Sequence, residues 1–290
     1  MSTSTELQWS LDRLDQWSDP VELQVTREKI VAYAEATNDE HPAHRCGDLA
    51  PPVFPVVGAL IDAIAPQIMA VVPVEVAMRV VHGEQDFRYH RPIVPGMTLV
   101  SRAAAVGIRG VSSGVVVLGK GTTETKSGAL VAEQYMAAFF RGAKLEVSEG
   151  EALPDHAFDD SVRDRAPDAR VTHGYDPDQM RRYSAASGDP MPIHLDEDFA
   201  KAMGLPGIIV HGLCTMAFCG RAVVGEYCND DPTRLKRFAV RFAKVVQPSE
   251  QVTHSLWRSG ESDDLRHISF ETTSDNGNVV IKDGLAEIGA

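Results

Sequence analysis

Apolar residues along this chain follow two periods, and the two alternate. Runs rich in β-branched and aromatic residues occur near 79–90, 97–107, 111–125 and 129–141, separated by Pro95-Gly96, Gly110 and Ser127-Gly128; turn residues at such intervals punctuate strands. A second series runs near 236–246, 251–258, 265–274 and 278–288, with turns at Pro248-Ser249, Ser259-Gly260 and Asn276-Gly277. Ahead of each series the period lengthens to that of a helix. In TREKIVAYAEATND, Thr26 offers an N-cap and Ile30, Tyr33, Ala34 and Ala36 supply one apolar side. A more apolar helix then precedes each set of strands. The first ends near Pro66 or by Pro73, and the second runs from Gly212 to about Tyr227.

The two halves are copies of one another. A shift of 150 places Thr26 on Asp176, Ile30 on Met180, Tyr33 on Tyr183, Asp39 on Asp189, Pro42 on Pro192 and His44 on His194. Further on, Val57-Gly58 parallels His211-Gly212. Helix followed by four strands, twice, predicts an α+β protein whose repeats pair side by side. The expected organisation is an N-terminal arm over 1–20 anchored by Trp9 and Trp17, a first repeat over 21–141, a linker over 142–170 without periodicity, and a second repeat over 171–290.

Composition narrows the partners. A formal net charge of -13 argues against a general nucleic-acid binder, which needs excess Lys and Arg. The N-terminus has no apolar signal core and no apolar run reads as a membrane span, so a cytoplasmic location and no membrane span are expected. Cys46, Cys214, Cys219 and Cys228 form no C-x-x-C pair, so no metal is expected; three of them fall in or near the second apolar helix, where a free cysteine serves as a small hydrophobe.

The chemistry concentrates in Tyr183–Met216, YSAASGDPMPIHLDEDFAKAMGLPGIIVHGLCTM. Pro190 and Pro192 stiffen the stretch between Asp189 and His194, so a carboxylate and an imidazole can share one water and move its protons. Gly212 leaves a backbone N–H open at a helix start, where the dipole favours developing negative charge. The plainer reading is that Asp189 caps backbone amides and His194 packs as a satisfied core histidine. A separate run, RLKRFAVRFAK at 234–244, holds five basic residues and no acid. Arg237 and Arg241 there either meet a phosphate-bearing ligand or form a solvated strand face.

The full string resembles the signature of MaoC-like, (R)-specific enoyl-CoA hydratases: an aromatic, small residues, G-D-x-N-P-aliphatic-H-x-D/E, then a spaced H-G-aliphatic. Tyr183, Ser187, Gly188, Asp189, Pro192, Ile193, His194, Asp196 and His211-Gly212-Leu213 match; the usual Asn is Met191. The resemblance implies a double hot-dog fold, each repeat a curved antiparallel sheet wrapped around a central helix. It implies a catalytic pair at Asp189 and His194 and an oxyanion contact from Gly212 N–H. Tyr183, Ser187, Met191 and His211 fall at substrate-binding positions of the motif. The substrate implied is an acyl thioester of coenzyme A or acyl carrier protein, with no cofactor, and a homodimer of double hot-dogs stays open.

The first repeat keeps Asp39 and His44 but has Val57 in place of His211 and Asn38 in place of Gly188. Its interval from His44 to Gly58 is four residues shorter than that from His194 to Gly212, which removes the segment DEDFAKAMG. The second repeat is therefore expected to be catalytic, with the first accommodating the acyl chain. Reversible hydration of a trans-2-enoyl thioester is the leading activity. Thioester hydrolysis on the same fold and a non-catalytic acyl-thioester-binding partner subunit are the rivals.

Overall fold

The computed structural model describes residues 7–290, so the first six residues of the expected arm lie outside the described residues. The arm docks through Trp9, which packs edge-on against Phe140 at 6.0 Å, and through Ser10 N–H, which donates to Val71 O, whereas Trp17, the other expected anchor, is 45% exposed.

The first repeat opens with β1 (Val21–Gln24), then α1 (Arg27–Ala36) and α2 (Pro42–Arg45). Thr26 caps α1 by accepting from Lys29 N–H at 3.3 Å. The central helical segment has a 3₁₀ turn at Phe54–Val56, a π-helical stretch at Leu60–Ile64, then α3 (Ala65–Val71) and the short α4 (Val74–Ala77). Pro66 does not end this helix. It occupies one of the first two positions of α3, where the missing N–H removes little. Strands β2 (Val80–Tyr89), β3 (Thr98–Val111), β4 (Gly114–Thr125) and β5 (Leu130–Arg141) follow as the hydrophobic pattern predicts.

The segment 142–170 is ordered against both repeats. It forms β6 (Ser148–Gly150) on the edge of β3 and a 3₁₀ turn at Asp160–Val162, and its end enters β7 (Ala169–Gly174). His156, 5% exposed, bridges the repeats from within it: Nε2 bonds Glu84 of β2 at 3.0 Å, and Nδ1–H donates to Asp283 O at 2.6 Å.

The second repeat contains α5 (Gln179–Ser187), a 3₁₀ turn at Pro192–His194, α6 (Glu197–Ala202), α7 (Gly212–Tyr227), β8 (Leu235–Phe242), β9 (Gln251–Ser262), β10 (Leu265–Ser274) and β11 (Val279–Ile288). Helix α7 is buried almost all round, as expected of a helix wrapped by a sheet. Cys214, Cys219 and Cys228 are buried there, and Cys46 is exposed.

The strands join in the order β1-β3-β4-β5-β2-β8-β11-β10-β9-β7. Read outward from the centre, the order is the same on both sides: β2, β5, β4, β3, β1 and β8, β11, β10, β9, β7. The repeats thus share one antiparallel sheet, sealed by β2 and β8 with Asp86 opposite Ala239. This is the double hot-dog architecture. The two helices related by the duplication also pack together: Tyr33 OH and Tyr183 OH meet at 3.2 Å, while Gln179 and Arg182 of α5 donate to the terminal carbonyls of Ala36 and Glu35 in α1.

One expectation is corrected. The run Phe54–Val71 is long and apolar enough to cross a membrane, with a mean hydropathy of 1.7. Its Phe54, Ala63, Ile64 and Ile68 are buried in the core of the first repeat, and Ile64 and Ile68 reach within 3 Å of where side chains at Gly119 and Gly121 of β4 would begin. It is the first repeat's core helix.

Candidate active site

Each site residue is held by a local backbone device. Helix α5 ends at Gly188 with φ +80°, the left-handed conformation that a glycine adopts without cost. Ser187 Oγ accepts from Asp189 N–H at 3.3 Å, and Asp189 Oδ1 accepts from Met191 N–H at 3.0 Å. The carboxylate is thus oriented by the chain itself. The prolines carry the backbone into the 3₁₀ turn, where His194 Nδ1 lies 2.8 Å from Ile209 O. A carbonyl can only accept, so Nδ1 carries the hydrogen, and in the neutral ring Nε2 keeps its lone pair. Asp196 caps α6 through Phe199 N–H, and Glu197 accepts from Ile208 N–H, which fastens the loop leading to His211.

Asp189, His194 and His211 bring ligand-capable atoms within 4.8 Å of one another. A single water can span that distance between two acceptors. The same three residues are a chemically plausible donor set for a cation. However, the His194 and His211 rings stack with centroids 3.7 Å apart and planes at 25°; rings so placed point their in-plane lone pairs side by side, which suits a shared ion poorly.

Burial lowers the His194 pKa from its usual value, against the opposing effects of the Ile209 bond and the Asp189 charge. His211 is pushed down to about 2 by burial and then by its neighbour His194. Both rings are neutral near pH 7. A cleft of about 370 Å³ opens onto His194, walled by Met180 and Arg181 of α5, Glu197 of α6, Ile208 and the Gln247–Ser249 loop. Gly212 is the first residue of α7, so its N–H has no partner within the helix. A methyl group on Gly212 would meet the Phe242 ring at 3.1 Å, so the glycine makes room for that aromatic side chain.

The remaining sequence candidates divide. Tyr183 and His211 are 1% exposed and Ser187 5%, so they back the pair from behind rather than line an open surface. Met191, expected to touch substrate, is 37% exposed and does not line the cleft. Its side chain does none of the orienting, because its N–H does. Arg237 is a correction to the expected phosphate contact. Its guanidinium is filled by fully buried Asp86, by Glu287 and by Asp155 O, and it ties the repeats and the connecting segment together. Arg241, 41% exposed in its side chain, faces Glu84 and Asp283, each at 3.3 Å. Both arginines belong to the seam between β2 and β8. Arg181, which the motif does not include, is the cation that lines the cleft; its signal was its place two residues before Tyr183.

The first repeat's counterpart is closed. His44 Nδ1–H donates to Asp39 Oδ2 at 2.8 Å, with the residues 1% and 4% exposed. The duplication also has a different register after the histidine. Ala50 N–H donates to Ile93 O as Val210 N–H does to Val246 O, and the residues that follow are Pro51-Pro52 in one case and His211-Gly212 in the other. Gly58, with φ +75°, lies beyond that point, so the parallel of Val57-Gly58 with His211-Gly212 does not hold in space. Proline has no N–H, so this entrance offers no oxyanion donor. A separate recess, walled by Pro51, Pro52, Pro55, Tyr89 and Ile93, lies on this side and shares no residue with the cleft.

Comparisons with known proteins agree with this architecture. Residues 159–279 match the MaoC-like domain model, and residues 15–134 match the dehydratase domain region of FAS1-like proteins. A solved MaoC-like dehydratase from Phytophthora capsici superposes with a TM-score of 0.81 at 23% identity, covering 96% of this chain and 97% of that one. A probable enoyl-CoA hydratase 2 of Dictyostelium discoideum is 30% identical over 73% of this chain and 70% of its own length. The 3-hydroxyacyl-thioester dehydratase Y of Mycobacterium tuberculosis is 33% identical over 61% of each chain. The chain belongs to the family of MaoC-like hydratases and dehydratases.

Proposed function

We propose that this protein is a hydro-lyase that reversibly adds water to trans-2-enoyl thioesters to give (R)-3-hydroxyacyl thioesters, with the chemistry in the second repeat. The observation that carries the reading is the fixed tautomer of His194: with Nδ1–H committed to Ile209 O, the Nε2 lone pair is left for the cleft.

The balance is simple. A water is held between Asp189 and His194. His194 Nε2 takes one of its protons as the remaining hydroxide bonds to the substrate's β-carbon. Electron density moves onto the thioester oxygen, where Gly212 N–H at the positive end of α7 opposes the developing charge. The proton on Nε2 then passes to the α-carbon. One base delivering both parts from one side makes the addition syn. Asp189 orients the water and stabilises the transient imidazolium. No redox step arises, and no cofactor enters this scheme.

Arg181 at the cleft wall is the proposed contact for an anionic group of the thioester carrier, in place of Arg237. The first repeat, closed to chemistry, is the proposed support for the acyl portion. The test is loss of enoyl absorbance from crotonyl, decenoyl and bulkier thioesters, with chiral analysis of the product. An (R)-3-hydroxyacyl thioester is expected. Release of free thiol without hydration would identify a thioesterase, and tight binding without turnover a non-catalytic partner subunit.

A further inference from the structure

One ring behind the cleft takes no part in the scheme above. His211 is 1% exposed, and neither ring nitrogen makes a well-formed hydrogen bond among the described residues, although the Asp189 backbone lies close enough to favour its protonated form. A buried imidazole is seldom left so. Its neighbours supply the reason for its presence. One face lies 3.7 Å from the His194 ring, and the Tyr183 ring is 4.9 Å away. Tyr183 in turn meets Tyr33 of the first repeat, with ring centroids 5.8 Å apart and hydroxyls in contact at 3.2 Å. Four rings therefore run in unbroken contact from α1 of the closed repeat to the base of the open one.

We propose that His211 is a positioning residue: its uncharged ring, wedged between Tyr183 and His194, fixes the plane of the His194 imidazole so that Nε2 stays aimed at the water, with Tyr33 backing the stack. This rests on the function proposed above. The Nδ1–H bond to Ile209 O pins one atom of the His194 ring and leaves the ring able to tilt about that bond. A second ring pressed against its face removes the tilt. Small displacements matter, since a misplacement of about 1 Å can cost about 10²-fold in rate.

The same contact sets the charge environment. His194 is faced by Asp189 from the turn after α5, by His211 from the entrance to α7, and across the cleft by Arg181 and Glu197. Asp189 favours a protonated His194, whereas the covering ring keeps water away and favours the neutral base. A cationic side chain in place of His211 would repel the proton that His194 must take up, and an anionic one would hold it too firmly.

The test uses the full chain with two substitutions, His211→Phe, which keeps a flat ring without nitrogens, and His211→Ala, which removes the ring. Two quantities are read: kcat and KM with a crotonyl thioester, and the titration midpoint of His194 by NMR of its imidazole. His211→Phe is expected to stay within about threefold of the wild-type kcat and to keep the wild-type midpoint. His211→Ala is expected to lose about 10²-fold in kcat with little change in KM, and its His194 midpoint should rise as water replaces the ring. An alanine variant with unchanged kcat and midpoint would overturn the proposal. So would a phenylalanine variant as slow as the alanine one at an unchanged midpoint, because the nitrogens would then act directly. If the alanine variant does not fold, the phenylalanine variant alone still decides. A wild-type protein that hydrates no enoyl thioester, yet shows these midpoint changes, would remove the function and keep the positioning role.

Discussion

Two Asp-His pairs, Asp39 with His44 and Asp189 with His194, have the same spacing and stand on related backbones, yet they are different chemical objects. In the first, the carboxylate takes the Nδ1–H of the histidine, both groups are sealed, and Nε2 is buried without a partner. In the second, a backbone carbonyl takes that Nδ1–H, which frees the carboxylate and leaves Nε2 unclaimed on a histidine that lines a cleft. A catalytic motif is thus defined by what occupies the nitrogen that is not reacting. A carboxylate used to fix the histidine is not available to hold water.

The largest expected consequence is in rate. Asp189→Asn should lower turnover by about 10²–10⁴-fold, the range for a group engaged in acid-base chemistry, while the melting temperature barely moves, because Asp189 accepts only from Met191 N–H at a partly exposed turn. Steady-state kinetics with a melting curve checks both. Asp39→Ala should do the opposite. It strands the buried Nδ1–H of His44, which costs about 1–3 kcal/mol, and should leave the rate per folded molecule near normal; denaturant unfolding beside kinetics reads this.

The comparison extends to pH. Burial lowers His194, so the acid limb of kcat/KM should have its midpoint below 6.5. Stability should fall over the same range. Four other histidines are depressed, chiefly by burial: the buried His211 to about 2 and His254 to about 3, and the partly buried His82 and His173 to about 4. Their unfolded forms bind protons near 6.5 and their folded forms do not, so each withdraws stability as pH drops below 6.5 toward its folded value. His156 works the other way. Its pKa is raised because the bonds to Glu84 and Asp283 O outweigh burial, so its contribution is present below 6.5 and fades as pH rises through its folded pKa. Among these histidines five act against one, and lowered Asp39 and Glu84 side with the five while raised Asp86 sides with His156; a net loss on acidification is expected, measurable as melting temperature between pH 7 and pH 4.

The smallest effect is expected at Met191. The side chain is 37% exposed and the N–H makes the contact to Asp189, so Met191→Asn should change stability by no more than about 0.5 kcal/mol and leave turnover close to wild type. A marked change in rate would show that the methionine itself shapes the entrance.

Much of this was legible from the chain alone. The eight long strands and the duplication follow from period-2 runs and turn residues, and the structure brings ligand-capable atoms of Asp189, His194 and His211 within 4.8 Å of one another. What escaped had physical reasons. Strands β1 and β7 are short edge strands that alternate partly buried and exposed residues without a strong apolar run. Arg237 read as a free cation because Asp86 and Glu287, its partners, lie on strands remote in sequence. The parallel drawn at Val57-Gly58 failed because the first repeat enters its core helix through Pro51-Pro52 and a π-helical stretch, which shifts the register. The carbonyl of Ile209 could not be found in a motif, since any residue supplies one.

The most direct test of the central claim is one paired measurement: the saturating rate per folded molecule of His194→Ala and of His44→Ala on the same enoyl thioester. A loss of about 10²–10⁴-fold is expected in the first, with a rate close to wild type in the second. Comparable losses in both, or a larger loss in His44→Ala, would contradict that claim.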